Sequence, residues 1–138
     1  MIDDPRPVTV EDLVTLNRRA VLYGGGTSGV RDRARLEYAV DRPFLVFNDQ
    51  PVYPTHHAKA AAMMEIIIKD HAFVDGNKRT GQSAGAALLR ELSGRRLYVT
   101  KRESVRVCLA VERGEMDTSD LASWLYARSA FDNPARPS

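Results

Sequence analysis

The chain has 138 residues, of which 43% are hydrophobic and 28% are charged, and its formal net charge is +2. These values are ordinary for a soluble globular protein, so we expect one domain over residues 1–138. A small net charge, with Lys and Arg spread among acidic residues, does not favour direct binding of nucleic acid. No apolar run approaches the roughly 20 residues that span a bilayer, and the N-terminus lacks the apolar core of a secretion signal. We therefore expect a cytoplasmic protein without a membrane partner.

Two helices are predicted in the first third of the chain. Thr9 can cap the first, because Asp12 stands three residues later, as a capping box requires. Asp32 can cap a shorter second helix, which should stop before Pro43 because proline disfavours helical backbone in the residue before it. The apolar positions of the two helices predict their core faces. These positions are Leu13, Leu16, Ala20 and Tyr23 in the first helix, and Leu36, Ala39 and Val40 in the second.

Residues 44–53 are the least helical part of the chain. Phe, Val and Tyr residues surround the run Asn48-Asp49-Gln50-Pro51, which is typical of a turn. We therefore predict an irregular or hairpin-like flap between the second and third helices.

The third and fourth helices are predicted to form a central antiparallel pair. The third opens at Pro54-Thr55, runs to about Asp70 and is apolar on most sides, which is typical of the centre of a bundle. The fourth starts near residues 77 and 78 and ends at Ser93, with Gly94 as its C-terminal stop. One face of the fourth helix carries small residues that would let another helix approach closely. These residues are Gly81, Ala84 and Gly85.

The rest of the sequence predicts an extended piece at residues 96–100 and two more helices. The fifth covers roughly 102–113 and contains Cys108, which we expect to pack as a small hydrophobe. Thr118 or Ser119 can cap the sixth, and residues 132–138 are interpreted as a frayed tail. The core candidates of the sixth helix are Leu121, Trp124 and Leu125. The predicted fold class is all-α: a compact bundle of about six helices with a short extended flap.

The nine residues His71–Arg79 read His-Ala-Phe-Val-Asp-Gly-Asn-Lys-Arg and predict a phosphate site. Lys78 and Arg79 fall in the first turn of the fourth helix, where cations are unfavourable by about 0.3 kcal/mol or more each. Two cations beside open amides make sense if an anion binds there. Gly76 permits a close approach of the backbone, and Lys and Arg both suit phosphate oxygens. An interpretation in which the loop only caps a helix leaves the two cations unexplained.

Two other residues of this stretch predict chemistry on the bound phosphate. Asp75 precedes the cations, and a carboxylate beside phosphates is the usual protein ligand of Mg2+. His71 ends the third helix on the other side of the loop. The imidazole of a histidine titrates near pH 6.5, roughly, so it can take a proton from a hydroxyl at neutral pH. Phe73 is expected to anchor the loop in the core.

Written as H-x-F-x-D-G-N-x-R, this stretch resembles the signature of the Fic/Doc family, and more closely that of its death-on-curing (Doc) branch. The Fic branch has H-P-F-x-[D/E]-G-N-G-R-x-x-R. In this chain Lys78 replaces the glycine after Asn77, and Gln82 replaces the final arginine. The likeness extends along almost the whole chain. Its weaker matches are Tyr23-Gly24-Gly25, Gly29-Val30-Arg31-Asp32 and Tyr53-Pro54-Thr55.

The resemblance implies a single Fic/Doc domain, with the motif between two central helices, that acts as a toxin of a toxin–antitoxin module. The Doc branch implies a kinase that moves the γ-phosphate of ATP to a hydroxyl of a translation factor, a threonine of elongation factor Tu, and so blocks translation. The Fic branch implies transfer of AMP to a protein hydroxyl. Carried onto this chain, the motif makes His71 the base and Asp75 the Mg2+ ligand. The implied phosphate cradle is Gly76, Asn77, Lys78 and Arg79.

The resemblance also implies two protein partners. The flap resembles the region that holds the backbone of the target, through Val46, Phe47 and Asn48, although a plain surface loop is as good an interpretation. The inhibitory string [S/T]-x-x-x-E-[G/N] of many Fic proteins is absent from the sequence. Control is therefore expected from a small cognate antitoxin, whose disordered C-terminal segment folds into an apolar groove near the site. A nucleotidyl transferase and a non-catalytic phosphate-binding module stay open as alternatives.

Overall fold

Six α-helices account for most of residues 5–132, the part of the chain that this computed structural model describes. They are α1 (Val10–Gly24), α2 (Arg33–Asp41), α3 (His56–Asp70), α4 (Asn77–Ser93), α5 (Lys101–Glu112) and α6 (Thr118–Ala127). The other elements of this part are a short 3₁₀ helix (Arg42–Phe44) and the strands β1 (Val46–Phe47), β2 (Gln50–Pro51), β3 (Arg95–Leu97) and β4 (Ser129–Phe131). The all-α prediction is confirmed.

Short polar residues begin the helices where the sequence predicts them. Thr9 Oγ1 accepts a hydrogen bond from the backbone N–H of Asp12 at 3.1 Å, and the Asp12 carboxylate accepts from the Thr9 N–H at 2.9 Å. Asp32 and Thr55 cap α2 and α3 with one such bond each. The prediction that Thr118 or Ser119 caps α6 is wrong. The cap is Asp117, one residue earlier, because its carboxylate has the reach to accept from the third N–H of the helix.

The helices α3 and α4 form the predicted central pair, and glycine lets them approach closely. A Cβ atom at Gly81 would lie 2.7 Å from Ile68 Cγ1 and 3.1 Å from the Met64 carbonyl oxygen. A Cβ atom at Gly85 would lie 3.0 Å from Met64 Cβ. A side chain at either position would require neighbouring atoms of α3 to shift. The position of the loop between the two helices is therefore fixed by their packing.

Two apolar clusters lie on either side of this pair. Leu13 and Leu36 bring α1 and α2 onto one side, where they pack with Met63, Ile67 and Leu88. The helices α5 and α6 cover the other side. The buried side chains there include Cys108, Val111, Leu121 and Leu125, which pack with Met64, Ile68 and Leu89. Since both clusters share α3 and α4, every helix of the bundle is braced on the pair that carries the motif loop.

Some core predictions are wrong. Tyr23 was expected on the buried face of α1 but is 86% exposed, and Asn17 is buried there instead. Trp124 is only partly buried against the second cluster. The extended piece, β3, begins one residue earlier than the predicted 96–100 and ends three residues earlier, at Leu97. It pairs antiparallel with β4, which the sequence did not predict. Asp132 accepts hydrogen bonds from Arg96 and Tyr98, and the rest of the predicted tail lies outside the described residues.

The flap is a hairpin, as predicted. The strands β1 and β2 pair antiparallel around Asn48 and Asp49, whose φ angles of 49° and 61° are left-handed, as a tight two-residue hairpin turn requires. Val46 and Phe47 are 63% and 71% exposed. Arg42 holds the foot of the hairpin to α3 through an ion pair with Glu65 at 2.9 Å. Within residues 5–132, no helix has the length and apolar character needed to cross a membrane.

Candidate active site

The loop between α3 and α4 is fixed by the segment that precedes α2. Phe73 forms an antiparallel bridge with Val30, and its side chain is fully buried, which confirms its expected role as an anchor. The Ala72 carbonyl oxygen accepts from the Arg31 N–H at 2.7 Å, and the Val74 N–H donates to the Gly29 carbonyl at 2.9 Å. The weaker sequence match at residues 29–32 is therefore structural, since it supplies the backbone against which the motif loop is held.

Asn77 closes this loop with its side chain. Its Nδ2 donates to the Phe73 carbonyl oxygen, its Oδ1 accepts from the Phe73 N–H, and both distances are 3.0 Å. The residue is 8% exposed. The resemblance places Asn77 in the phosphate cradle. These two bonds fix the side-chain amide against the loop, and the backbone N–H of Asn77 is left to face an anion.

Asn17 is a site residue that the sequence interpretation missed. It is buried in α1, and its Nδ2 donates to the Asp75 carbonyl oxygen at 2.8 Å and to Thr80 Oγ1 at 3.2 Å. These bonds fasten the motif loop and the first turn of α4 to α1. A signal was present in the sequence, because an amide falls on the apolar face of α1, one turn after Leu13.

Gly76 opens the first turn of α4. Its φ of 76° is left-handed, and a Cβ atom there would lie 3.3 Å from Asn17 Nδ2 and from Val21 Cγ2. Gly76 is also the N-cap of α4 and has no side chain with which to bond the helix amides. The first backbone N–H groups of a helix have no partner within the helix. Those of Asn77, Lys78 and Arg79 are therefore available to an anion.

The two motif cations differ in how the chain holds them. Arg79 is exposed, and its guanidinium donates one hydrogen bond, of 3.3 Å, to the Gly25 carbonyl oxygen. It lies over Gly24, where a Cβ atom would fall 0.7 Å from Arg79 Nη1. The glycine at position 24 therefore makes room for this side chain. Lys78 Nζ lies 3.2 Å from Oε2 of Glu112, at the end of α5.

Asp75 and His71 stand at the two ends of the loop. One oxygen of the exposed Asp75 carboxylate accepts from the Thr27 N–H at 2.8 Å, which orients it. His71 is the C-cap of α3, with left-handed φ and ψ of 51° and 47°, and its side chain is half exposed. Its Nε2 lies 3.9 Å from the same Glu112 oxygen that Lys78 contacts. Glu112 is thus a second residue of the site that no motif indicated.

A cleft of 280 Å³ opens between the start of α4 and α5. Its floor includes Cys108, where burial raises the pKa of the thiol from 9.0 to about 11. A wider groove of 510 Å³ adjoins it along α1. The two share Arg79, Gln82 and Ser104, and the Ser104 hydroxyl donates to Gln82 Oε1. Gln82, which replaces a motif arginine, therefore places an uncharged side chain where the cleft and the groove meet.

The structure brings most of the predicted site residues to one end of the α3–α4 pair. Gly76, Asn77, Lys78 and Arg79 line the cleft, and Asp75 and His71 belong to the loop beside it. The flap residues Val46, Phe47 and Asn48 make no hydrogen bond or ion pair with this group in the described part of the chain. Residues 5–132 also contain no group of three or more His, Cys, Asp or Glu that could hold a metal ion.

A model of the Fic/DOC family matches residues 7–89, from before α1 to well inside α4. The chain belongs to the Fic/DOC family. It is similar to Toxin Doc of Mycolicibacterium smegmatis, with 39% identity over 79 residues. That alignment covers 57% of this chain and 58% of the relative, so it spans less than two thirds of the length of the curated protein. The Fic/DOC match includes the whole motif loop, whereas α5, with Glu112, lies beyond it.

Proposed function

We propose that this Fic/DOC protein is a toxin of a toxin–antitoxin module that transfers the γ-phosphate of ATP to a hydroxyl group of a protein. The observation that carries the proposal is the arrangement at the start of α4. Open helix amides and two cations line one cleft, and a carboxylate and a half-exposed histidine belong to the loop beside it. This combination suits the binding of a polyphosphate and the transfer of a phosphoryl group. The amides and cations can neutralise the phosphate charge, the carboxylate can hold a metal ion, and the histidine can accept the proton of the reaction.

ATP would lie with its phosphates on the amides that follow Gly76. Lys78 and Arg79 would neutralise their charge, one as a point charge and the other as a planar fork. The nucleoside would lie in the cleft beside α5 or in the adjoining groove along α1. Their volumes of 280 and 510 Å³ are of the size that small-molecule ligands occupy in proteins.

Asp75 would be the protein ligand of Mg2+. A single carboxylate fits this metal, because Mg2+ keeps several waters and takes other ligands from the phosphates of its nucleotide. The hydrogen bond from Thr27 fixes the direction of the carboxylate. When bound, the metal would supply charge neutralisation to the phosphates during transfer.

His71 would act as the base. The hydroxyl oxygen of the target attacks the γ-phosphorus, the bond to the β-phosphate oxygen breaks, ADP leaves, and the imidazole takes the hydroxyl proton. The resemblance to the Doc branch points to a threonine of elongation factor Tu in the cytoplasm. The exposed strand β1 would pair with the main chain of the target and present its hydroxyl.

The groove along α1 is the proposed receiver of a cognate antitoxin. The similarity to a protein named Toxin Doc supports the existence of such a partner. Tyr23 lines the groove and is 86% exposed, and Leu22 beside it is 74% exposed. Arg19 and Lys101 also line it. An antitoxin segment with apolar and acidic side chains would fit these walls and would cover Arg79.

The test is transfer of label from ATP in a translation extract that contains Mg2+. Label from the γ-phosphate, and none from the α-phosphate, is the expected result. Label from the α-phosphate would establish a nucleotidyl transferase, and no label from either would leave a phosphate-binding module. The matched control is Asp75→Asn, which keeps an oxygen for the Thr27 N–H and removes the charge. Full transfer by this variant would refute the metal-ligand role of Asp75.

A further inference from the structure

Glu112, the last residue of α5, approaches two motif residues at once. Its Oε2 lies 3.2 Å from Lys78 Nζ and 3.9 Å from His71 Nε2. Glu112 lies outside residues 7–89, which match the Fic/DOC family model. The side chain is 29% exposed, so water does not fully screen the contact.

The His71 imidazole has little else to hold it. Its backbone is fixed by the loop, but the side chain is 50% exposed. Within residues 5–132, the carboxylate of Glu112 is the one group that lies within ion-pair range of the ring. A half-exposed ring without a partner samples several rotamers, and only one of them places the ring nitrogen next to the target hydroxyl.

We propose that Glu112 is a positioning residue for His71, an inference that rests on the proposed phosphotransfer. The carboxylate faces the Nε2 edge of the ring. A carboxylate on one ring nitrogen holds the proton there, orients the ring and leaves the other nitrogen, Nδ1, to accept a proton. Glu112 thus has the role that an orienting carboxylate has beside a histidine general base.

Lys78 and the body of α5 hold Glu112 in turn. The ammonium contacts the same carboxylate oxygen and offsets its charge, so that no net negative charge faces the phosphates. Val111 and Cys108, on the same end of α5, are buried in the core. The backbone that carries Glu112 is therefore rigid, as a support for a catalytic group needs to be.

The first test compares kinetics with nucleotide affinity in Glu112→Ala and Glu112→Gln. In Glu112→Ala we expect kcat to fall about tenfold or more, as on loss of an orienting partner, while the Kd for ATP measured by calorimetry is no weaker. Glu112→Gln should recover most of kcat, because its amide oxygen can still accept from Lys78 and face the Nε2 edge of His71. Glu91→Ala, the same change about 21 Å along α4 from Asn77, should leave both quantities unchanged.

Three kinetic outcomes would overturn the proposal. An unchanged kcat in Glu112→Ala would mean that His71 needs no support. A weaker Kd with unchanged kcat would make Glu112 part of the nucleotide site, acting through Lys78. A raised kcat would make the carboxylate a competitor of the phosphates.

A second measurement needs no turnover and so separates this proposal from the transfer reaction itself. Carbon-13 relaxation of the His71 ring in the nucleotide-free protein should report an ordered ring in the wild type and in Glu91→Ala. The same ring should be mobile in Glu112→Ala. A ring that is equally ordered in all three proteins, or mobile in the wild type, would exclude the positioning role even if transfer is observed. An ordered ring that Glu112→Ala releases would support it even if no label is transferred.

Discussion

An arginine lies near each end of α4, and the two side chains differ in how many contacts they make with the rest of the chain. Past the C-terminal end, Arg95 donates to the Ser129 carbonyl oxygen at 2.6 Å, to Ser129 Oγ at 2.9 Å and to the Tyr126 carbonyl oxygen at 3.2 Å. Its guanidinium also lies over the rings of Tyr126 and Phe131, 4.6 and 5.1 Å from their centres. At the N-terminal end, Arg79 has one bond of 3.3 Å.

The difference separates a structural cation from an available one. A helix dipole favours positive charge at the C-terminal end, where Arg95 is satisfied by its own chain, and opposes it at the N-terminal end. Arg79 stands in the unfavourable place with a single long bond beside open amides. A site that the chain leaves unsatisfied in this way suits an external anion. The comparison therefore predicts that variants at one end change function and variants at the other change stability.

The largest effect is expected at His71. In His71→Asn, transfer should fall about a hundredfold or more, because the general base is lost. Asn is preferred to Ala here, since it tolerates the left-handed backbone of this C-cap. The free energy of unfolding in urea should stay within about 0.5 kcal/mol of the wild type, because the ring is half exposed. Transfer at the wild-type rate would remove His71 from the mechanism, and a large loss of stability would make it structural.

Arg95→Ala should have the next largest effect, and on stability alone. The variant loses three hydrogen bonds and two ring contacts, which together should cost about 2 kcal/mol in the free energy of unfolding. ATP affinity, measured by calorimetry, should not change. The control is the neighbouring Arg96→Ala, which loses a 3.5 Å contact with Asp132 and should cost less than about 0.5 kcal/mol. Equal losses in the two variants would contradict the role assigned to Arg95.

Arg79→Ala should show the reverse pattern, with a smaller effect. The Kd for ATP should weaken about tenfold, or about 1.4 kcal/mol, for one lost charge-assisted contact. Folding should be unaffected or gain about 0.3 kcal/mol, because a cation leaves the positive end of a helix. Arg90→Ala, in the last turn of the same helix, is the matched control, and should lose about 0.3 kcal/mol and keep its ATP affinity. If both variants bound ATP equally well, Arg79 would have no place in the cradle.

Local chemistry made the helices and the motif loop predictable from the sequence. Helix caps such as Thr9 and Thr55 act within four residues of themselves, so their pattern is visible in the sequence. The small face of α4 is also a local pattern, and Gly81 and Gly85 lie where it places them. The charge pattern at Lys78 and Arg79 conflicts with the helix dipole, and such a conflict is visible without any tertiary structure.

The missed residues depend on contacts between distant parts of the chain. Glu112 reaches His71 and Lys78 only because α5 crosses the start of α4, and nothing near residue 112 indicates that crossing. The strand β4 forms only against β3, 34 residues earlier, so its own sequence carries little signal. Tyr23 was misplaced because helical spacing gives a face but does not say where the core ends.

The smallest expected effect at the N-terminal end of α4 is at Cys108. Its titration reports whether water reaches the floor of the cleft. Burial raises the pKa of its thiol from 9.0 to about 11, with the nearby Lys78 opposing the shift. In alkali the unfolded chain releases this proton before the folded chain does, so the contribution to stability is present below pH 9 and is lost as the pH rises toward 11. At pH 9.5 the loss should be about 0.8 kcal/mol relative to neutral pH. The difference in free energy of unfolding between the wild type and Cys108→Ala isolates this thiol from the Lys and Tyr residues that titrate nearby. If this difference in free energy of unfolding did not vary with pH, water would reach the thiol, and the cleft between α4 and α5 would extend to Cys108.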